Sequence, residues 1–201
     1  MHFAVISAGL LPVCAKDISE PDKVRLDQLL DAINNCRFSA HDLSRCRGEG
    51  ASNFARMNMP VEVGMALFYS FKTAHQMHRC AAFAPTPHDY KRFASDLSGL
   101  DFPSYDGDDI SLLVSVYEWL RKVVLQHYFN SQPMDLVVRK YSEFKESLGM
   151  INGSGRGATP THDEAQELMY RICANCGWWE FRSRREGQFE FPRLPLPGID
   201  S

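Results

Sequence analysis

The chain has 201 residues, of which 44% are hydrophobic and 23% are charged, and its formal net charge is -3. This length and apolar content suffice for one globular core, which excludes a mainly disordered chain. The slight negative charge argues against a dedicated nucleic-acid binder, since such proteins carry a basic face. The sequence lacks both a membrane-spanning apolar run of roughly 18 residues and the pattern of a signal peptide. We therefore expect a cytoplasmic protein with no membrane or nucleic-acid partner, whose six scattered cysteines stay reduced.

The first half of the chain alternates short apolar runs, which predict strands, with apolar residues at helical spacing. The predicted strands are Phe3–Ser7, Arg37–Leu43 and Arg79–Ala84. A capping-box pattern at Ser19 and Asp22 predicts the start of one helix, and Asn58–Phe71 predicts a second. This alternation predicts an α/β fold, with a mainly parallel sheet covered by helices on both faces and ligands bound at the carboxyl ends of the strands.

The second half of the chain has a mainly helical pattern. The predicted elements are a helix over His88–Leu97, a short strand over Asp101–Tyr105, and helices starting after Asp108 or Asp109, at Met134 and at the capping-box pattern of Thr161 and Glu164. The stretch Gly149–Pro160 predicts a linker. We divide the chain into an α/β domain, residues 1–130, and a helical C-terminal extension, residues 131–201, with a Pro-rich tail.

Glu62 is the one charged residue of the apolar segment 57–71. A carboxylate on a buried helix must be paired, protonated or used, because an isolated buried charge is costly. Near the helix start the backbone N–H groups favour the anion, whereas burial favours the protonated acid. Asn58, four residues earlier on the same face, can orient the carboxylate or bind a ligand hydroxyl. The structural alternative is an ion pair of Glu62 with Arg45 or Arg56.

A second polar group, His41-Asp42-Leu43-Ser44-Arg45, stands where the second predicted strand ends. Asp42 supplies a second carboxylate, and Ser44 and Arg45 supply donors suited to a phosphate or a sugar. Two carboxylates can divide the work of glycosidic cleavage: one attacks or stabilises the developing sugar cation, and the other positions or protonates the leaving base. The structural alternative is that Asp42 caps the loop after its strand, and that His41 and Arg45 hold this loop by hydrogen bonds.

These segments resemble a known superfamily. Ser7, HDLSR at 41–45 and NMPVEVGMAL at 58–67 are similar to motifs of the nucleoside 2-deoxyribosyltransferases and of the Toll/interleukin-receptor (TIR) domains that share their flavodoxin-like layout. With DYKRFASDLSGLD at 89–101, the likeness is to a set of uncharacterised bacterial TIR-like proteins. The resemblance implies a flavodoxin-like three-layer α/β/α domain with Glu62 as nucleophile or cation stabiliser and Asp42 and Asn58 as its partners.

The leading hypothesis is an enzyme that cleaves the N-glycosidic bond of a nucleotide, with NAD as the favoured substrate, in bacterial defence or signalling. The catalytic residues would be Glu62, Asp42 and Asn58, and the substrate-binding residues would be Ser7, His41, Ser44, Arg45 and Asp96. We expect a homo-oligomer that needs no metal or other cofactor. Cys173 and Cys176 have no second pair nearby to complete a zinc site, which favours inert thiols. The alternatives are a nucleoside 2-deoxyribosyltransferase and a non-catalytic nucleotide-sensing or assembly module.

Overall fold

The computed structural model describes residues 1–14, 17, 22–46, 57–72, 78–87, 89–92, 94–123, 132–153 and 159–174. Its helices are α1 (His2–Ser7), α2 (Arg25–Asn35), α3 (Asn58–Lys72), α4 (Asp109–Val123), α5 (Met134–Gly153) and α6 (His162–Ala174), and its strands are β1 (Phe38–Asp42) and β2 (Arg79–Phe83). Short 3-10 helices occupy Ser44–Cys46, Asp89–Arg92 and Ser95–Gly99. Within these residues, no helix combines the length and the apolar character needed to cross a bilayer.

The two strands form a small parallel sheet, so the protein is an α/β structure. Phe38 pairs with Arg79 at one end of the register, and Asp42 pairs with Phe83 at the other. Parallel strands need a crossover between them, and α3, which follows β1 in the chain and precedes β2, contacts both strands. The predicted strands at β1 and β2 and the predicted helix at α3 are therefore confirmed.

Apolar side chains cover the sheet on both faces. On one face, Phe83 and Ala81 lie in a core cluster with residues of α1 and α4, and the Trp119 ring of α4 packs edge-on to Phe83 at 6.0 Å. On the other face, Ala82 lies in a second cluster with Val63 of α3. This division follows from the alternation of side chains along a strand, which sends residues 81 and 83 to one side and residue 82 to the other.

The helices of the second half complete the first core cluster. Val137 and Phe144 of α5 and Ile172 of α6 are buried in the same cluster as Phe3 of α1. The rings of Phe3 and Phe144 have their centroids 5.7 Å apart. One core therefore joins α1 and α4 with α5 and α6. The predicted domain boundary at residue 130 lies outside the described residues and stays a prediction.

The predicted strand at Phe3–Ser7 is wrong, because the segment is the helix α1. Five consecutive apolar or small residues suit a buried helix as well as a buried strand. Phe3 and Ile6, three residues apart, are both buried against α4 and its neighbours, and within the described residues the sheet contains β1 and β2 alone. The segment is helical because its apolar face packs against other helices and because neither described strand pairs with it.

Two of the three helix starts predicted from capping patterns are confirmed. Asp108 Oδ1 accepts the backbone N–H groups of Ile110 at 2.9 Å and Ser111 at 2.8 Å, which confirms the predicted start of α4. At α6, Glu164 Oε2 accepts the backbone N–H of Thr161 at 2.8 Å, and Thr161 Oγ1 accepts the N–H of Glu164 at 3.2 Å. These two reciprocal bonds are the predicted capping box.

Three other predictions need correction. Helix α5 continues to Gly153, so the first five residues of the predicted linker Gly149–Pro160 are helical; a long helix tolerates the roughly 1 kcal/mol that each glycine costs. The predicted helix over His88–Leu97 is replaced by the two 3-10 helices at Asp89–Arg92 and Ser95–Gly99. The predicted strand over Asp101–Tyr105 is reduced to one parallel bridge between Ser104 and Ala84.

The predicted capping box before α2 is not its cap. Helix α2 begins at Arg25, and its N-cap residue, Val24, makes no side-chain capping hydrogen bond. Asp22 precedes this start, and Ser19 lies outside the described residues.

Candidate functional site

The candidate site lies where α3 faces the carboxyl end of β1. Glu62 stands in the second turn of α3, and its side chain is 14% exposed. His41, the next-to-last residue of β1, is buried beside it, with its Nδ1 4.0 Å from Glu62 Oε2. The sheet and its crossover helix thus bring together two titratable side chains that are 21 positions apart in the chain.

Burial governs the charges of this pair. Burial raises the pKa of Glu62, and the nearby positive charge of Arg25 opposes part of that rise. Burial, with a smaller contribution from His78, lowers the pKa of His41 to about 4. Although 4.0 Å is within ion-pair reach, His41 is therefore uncharged at neutral pH, and the contact joins a neutral imidazole to the carboxyl group of Glu62.

The two buried histidines on this side of the sheet differ in their hydrogen bonds. His78 donates from Nδ1 to the carbonyl oxygen of Cys36 at 2.8 Å, and its Nε2 is 2.8 Å from the Ser39 hydroxyl. In contrast, Nε2 of His41 is buried and meets no hydrogen-bond partner among the described residues. A buried polar atom without a partner is unusual and is a feature of functional sites, so His41 is the better candidate for a functional role.

Asp42, the predicted second carboxylate, is engaged by other groups. Its Oδ1 accepts the backbone N–H of Ser44 and the hydroxyl of Tyr105, both at 2.9 Å, and its Oδ2 accepts the Ser44 hydroxyl at 3.0 Å. Strand alternation turns Asp42 and His41 to opposite faces of the sheet. These are the contacts of the structural alternative, in which Asp42 caps the loop after its strand.

The remaining predicted site residues are dispersed. Asn58 is exposed at the first position of α3, and Arg45 and Asp96 are also exposed. Ser44 is half-buried, and its backbone N–H and its hydroxyl both donate hydrogen bonds to Asp42. Ser7 does not follow a strand, because its segment is helical; it is 3% exposed in the core, with its Oγ 3.8 Å from the Cys173 sulfur. The structure therefore groups Glu62 with His41 and Ser44 with Asp42, and it places Ser7 beside Cys173.

Sequence reasoning missed a groove beside Asp42. This open groove of roughly 450 Å³ runs along α4 and is lined by Ser104, Tyr105, Asp106, Asp108, Ile110, Ser111, Val114, Ser115 and Glu118. Tyr105 links the groove to the end of β1 through its hydrogen bond to Asp42, and burial raises the pKa of its phenol to about 12. The hydroxyl and carboxylate groups that line the groove suit a ligand rich in hydroxyl groups. No local motif joins Tyr105 to Asp42, which lies 63 positions earlier.

A third group of residues was also missed. Cys14, Asp17 and His162 place a sulfur, a carboxylate oxygen and a ring nitrogen within 4.8 Å of one another, a donor set able to hold a metal ion. The long separation between residues 17 and 162 removes any spacing signal of the kind that marks metal sites in sequences.

Comparison with protein-family models, with curated proteins and with solved structures found no match for the chain. The resemblance carried by residues 41–45, 58–67 and 89–101 thus stays a prediction, and the argument for function rests on the geometry of the site.

Proposed function

We propose that the protein cleaves the N-glycosidic bond of a nucleotide, with NAD as the favoured substrate. The observation that carries this proposal is the state of Glu62. Its largely buried carboxyl group faces His41 at the carboxyl end of a parallel strand, and no guanidinium of the described residues is within ion-pairing distance of it. A carboxyl group held in this way is available for chemistry, because no salt bridge within the described part of the chain consumes its charge; Arg56, one of the two ion-pair partners considered from the sequence, lies outside that part.

The proposed chemistry needs one carboxylate. In NAD the nicotinamide carries a positive charge, so the bond from the ribose C1′ to nitrogen breaks with both electrons leaving on the base, and no acid is required. The ribose develops an oxocarbenium character, which the Glu62 carboxylate stabilises or captures as an ester. Water then adds its oxygen to C1′ and gives up a proton to solvent, which releases the sugar and regenerates Glu62.

His41 is the positioning residue of this proposal. Its neutral ring lies 4.0 Å from Glu62 Oε2, so it contacts the carboxyl group without neutralising its charge. Asp42, held by Tyr105 and Ser44, supports the loop that borders the site. The resemblance of residues 41–45 and 58–67 to nucleoside 2-deoxyribosyltransferases and TIR domains supports the same assignment of Glu62. A flavodoxin-like three-layer arrangement around the described sheet, a homo-oligomeric state and a role in bacterial defence belong to the same proposal.

The test compares three forms of the protein: wild type, Glu62→Gln and Glu146→Gln. Glu146 is an exposed glutamate of α5 and serves as the matched control. Each form is incubated with NAD and, separately, with a pair of deoxynucleosides, and released bases are separated by chromatography. We expect nicotinamide release by wild type and the control, and a loss of about 10³-fold or more in Glu62→Gln.

Other outcomes would replace the proposal. Equal activity in Glu62→Gln would remove Glu62 from the chemistry. Base exchange between deoxynucleosides, with no effect on NAD, would assign a deoxyribosyltransferase. Saturable nucleotide binding without any product, in the oligomer as well as the monomer, would assign a sensing or assembly module.

A further inference from the structure

Cys14, Asp17 and His162 form a compact cluster away from Glu62. The Cys14 sulfur lies 3.4 Å from His162 Nε2, and Asp17 Oδ1 lies 3.1 Å from the same nitrogen. Cys14 and Asp17 belong to the segment before α2, whereas His162 is the first residue of α6. All three residues are half-buried. The cluster thus joins two segments that are far apart in the sequence.

The direction of these contacts distinguishes a cation site from a catalytic triad. In a Cys-His-Asp triad, the thiol and the carboxylate bind different ring nitrogens, so that the imidazole can pass a proton between them. Here the sulfur and the carboxylate oxygen both point to Nε2 of His162. A neutral imidazole nitrogen has one proton or one lone pair to offer. Three donors that converge on one point are the arrangement that a shared metal ion requires.

The distances also fit a tetrahedral ion. Zinc bonds of about 2.3 Å to sulfur and about 2.05 Å to nitrogen or oxygen put neighbouring ligand atoms about 3.6 Å apart for sulfur and nitrogen, and about 3.4 Å apart for nitrogen and oxygen. The observed separations of 3.4 Å and 3.1 Å differ from these by a few tenths of an ångström. The third separation, between the Cys14 sulfur and the Asp17 carboxylate, lies within 4.8 Å, against about 3.6 Å for ligands of zinc, so these two side chains would close by up to about 1 Å when the ion enters.

Asp17 is oriented for such a role by the backbone. Its Oδ2 accepts the N–H of Cys14 at 2.9 Å, which leaves Oδ1 directed toward His162. Hydrogen bonds to the outer atom of a ligand are a regular feature of metal sites, because they fix the orientation of the ligand. The ring of His2 packs edge-on to His162, with a centroid separation of 5.4 Å, so an imidazole stands next to the cluster.

We propose that Cys14, Asp17 and His162 bind one zinc-type divalent ion, with water in the fourth position. A thiolate and an imidazole favour Zn²⁺ over the hard cations Mg²⁺ and Ca²⁺. Binding displaces the thiol proton of Cys14 to solvent and changes no oxidation state. The ion fastens the segment before α2 to the start of α6, so it stabilises the folded chain. This site is independent of the proposed function of Glu62.

The first experiment needs no variant. The full chain is reduced, stripped with a chelator, and alkylated with iodoacetamide with or without Zn²⁺, and the labelled cysteines are identified by peptide mass spectrometry. We expect Zn²⁺ to protect Cys14 and to leave Cys36, a half-buried thiol of another segment, unchanged. Titration with Co²⁺ should give one equivalent of a tetrahedral species with a thiolate-to-cobalt charge-transfer band. Equal alkylation of Cys14 in both conditions, or cobalt binding without that band, would overturn the proposal.

The second experiment assigns the ligands. Cys14→Ser and Asp17→Asn are compared with the control Cys36→Ser, and the metal-free proteins are first checked by circular dichroism. We expect both ligand variants to bind Zn²⁺ about 100-fold or more weakly and to lose the rise in melting temperature that the ion causes in wild type. Wild-type zinc affinity in folded Cys14→Ser contradicts the assignment. Should Cys14→Ser fail to fold, the same loss is required of Asp17→Asn, which preserves the shape of the side chain.

Discussion

His41 is predicted to make the protein sensitive to mild acid. Its pKa is lowered from 6.5 to about 4 in the folded protein. The unfolded chain therefore takes up a proton on this residue near pH 6.5, whereas the folded protein resists protonation until about pH 4. Unfolding takes up a proton throughout this interval, so the contribution of His41 to stability is complete above pH 6.5 and is lost as the pH falls toward 4.

The size of the effect follows from the separation of the two pKa values. At about 1.4 kcal/mol per pH unit, a separation of 2.5 gives about 3–4 kcal/mol of unfolding free energy in full, of which about 3 kcal/mol is lost between pH 7 and pH 4. Because His41 is 7% exposed, solvent screens little of this amount. A loss of about 3 kcal/mol is a large part of the 5–15 kcal/mol that stabilises a typical domain.

The assay is urea unfolding followed by circular dichroism from pH 7 to pH 4. The parent protein is Glu62→Gln, so that the carboxyl group next to His41 does not contribute to the difference. It is compared with the double variant Glu62→Gln/His41→Leu, in which leucine fills a similar volume and cannot titrate. As the pH falls from 7 to 4, we expect the unfolding free energy of the double variant to rise by about 3 kcal/mol relative to that of the parent, because only the parent loses the contribution of His41. A difference between the two proteins that does not change with pH would refute the argument from burial.

Two further predictions concern Glu62 and the core. Burial raises the pKa of Glu62, so ionisation of this residue destabilises the folded state as the pH rises through that value. Glu62→Gln should therefore melt at a higher temperature than wild type at neutral pH but not in acid, and a lower melting temperature at neutral pH would contradict this. Phe83→Ala should cost about 3–5 kcal/mol of unfolding free energy in urea, because Phe83 is fully buried between β2 and α4. The matched control is Phe68→Ala, which removes a ring that is 61% exposed and should cost about 0.5 kcal/mol or less.

Elements with strong local signals were predicted well. The apolar runs at β1 and β2 have a helix between them in the chain, and this order is enough to imply a parallel pair. The starts of α4 and α6 are set by Asp108 and by the Thr161–Glu164 pair, whose side chains bind backbone groups two or three positions away. Both partners of such a contact lie within a few residues of each other in the chain, so a local sequence pattern is enough to predict it.

The candidate site was predicted in part. Glu62 was selected because one acid stands in an apolar helix, and the structure gives it the burial and the altered pKa that this position implied. The side chain next to Glu62 is His41, whereas Asp42, its predicted partner, makes hydrogen bonds to Ser44 and Tyr105, so the catalytic role of Asp42 stays a prediction. The two residues are neighbours in β1, and which of them faces α3 depends on the side of the sheet that the crossover helix takes.

The amino-acid sequence alone determined the starts of α4 and α6 and the parallel pairing of β1 with β2, because caps and periodicity act over a few residues. Only the tertiary structure decided that residues 2–7 form a helix, that His41 rather than Asp42 meets Glu62, and that Cys14 and Asp17 meet His162. In each case the outcome depends on which surfaces are brought together over long distances in the chain. The free energy of burying those surfaces depends on contacts between distant segments of the packed core, so it cannot be read from any one local segment.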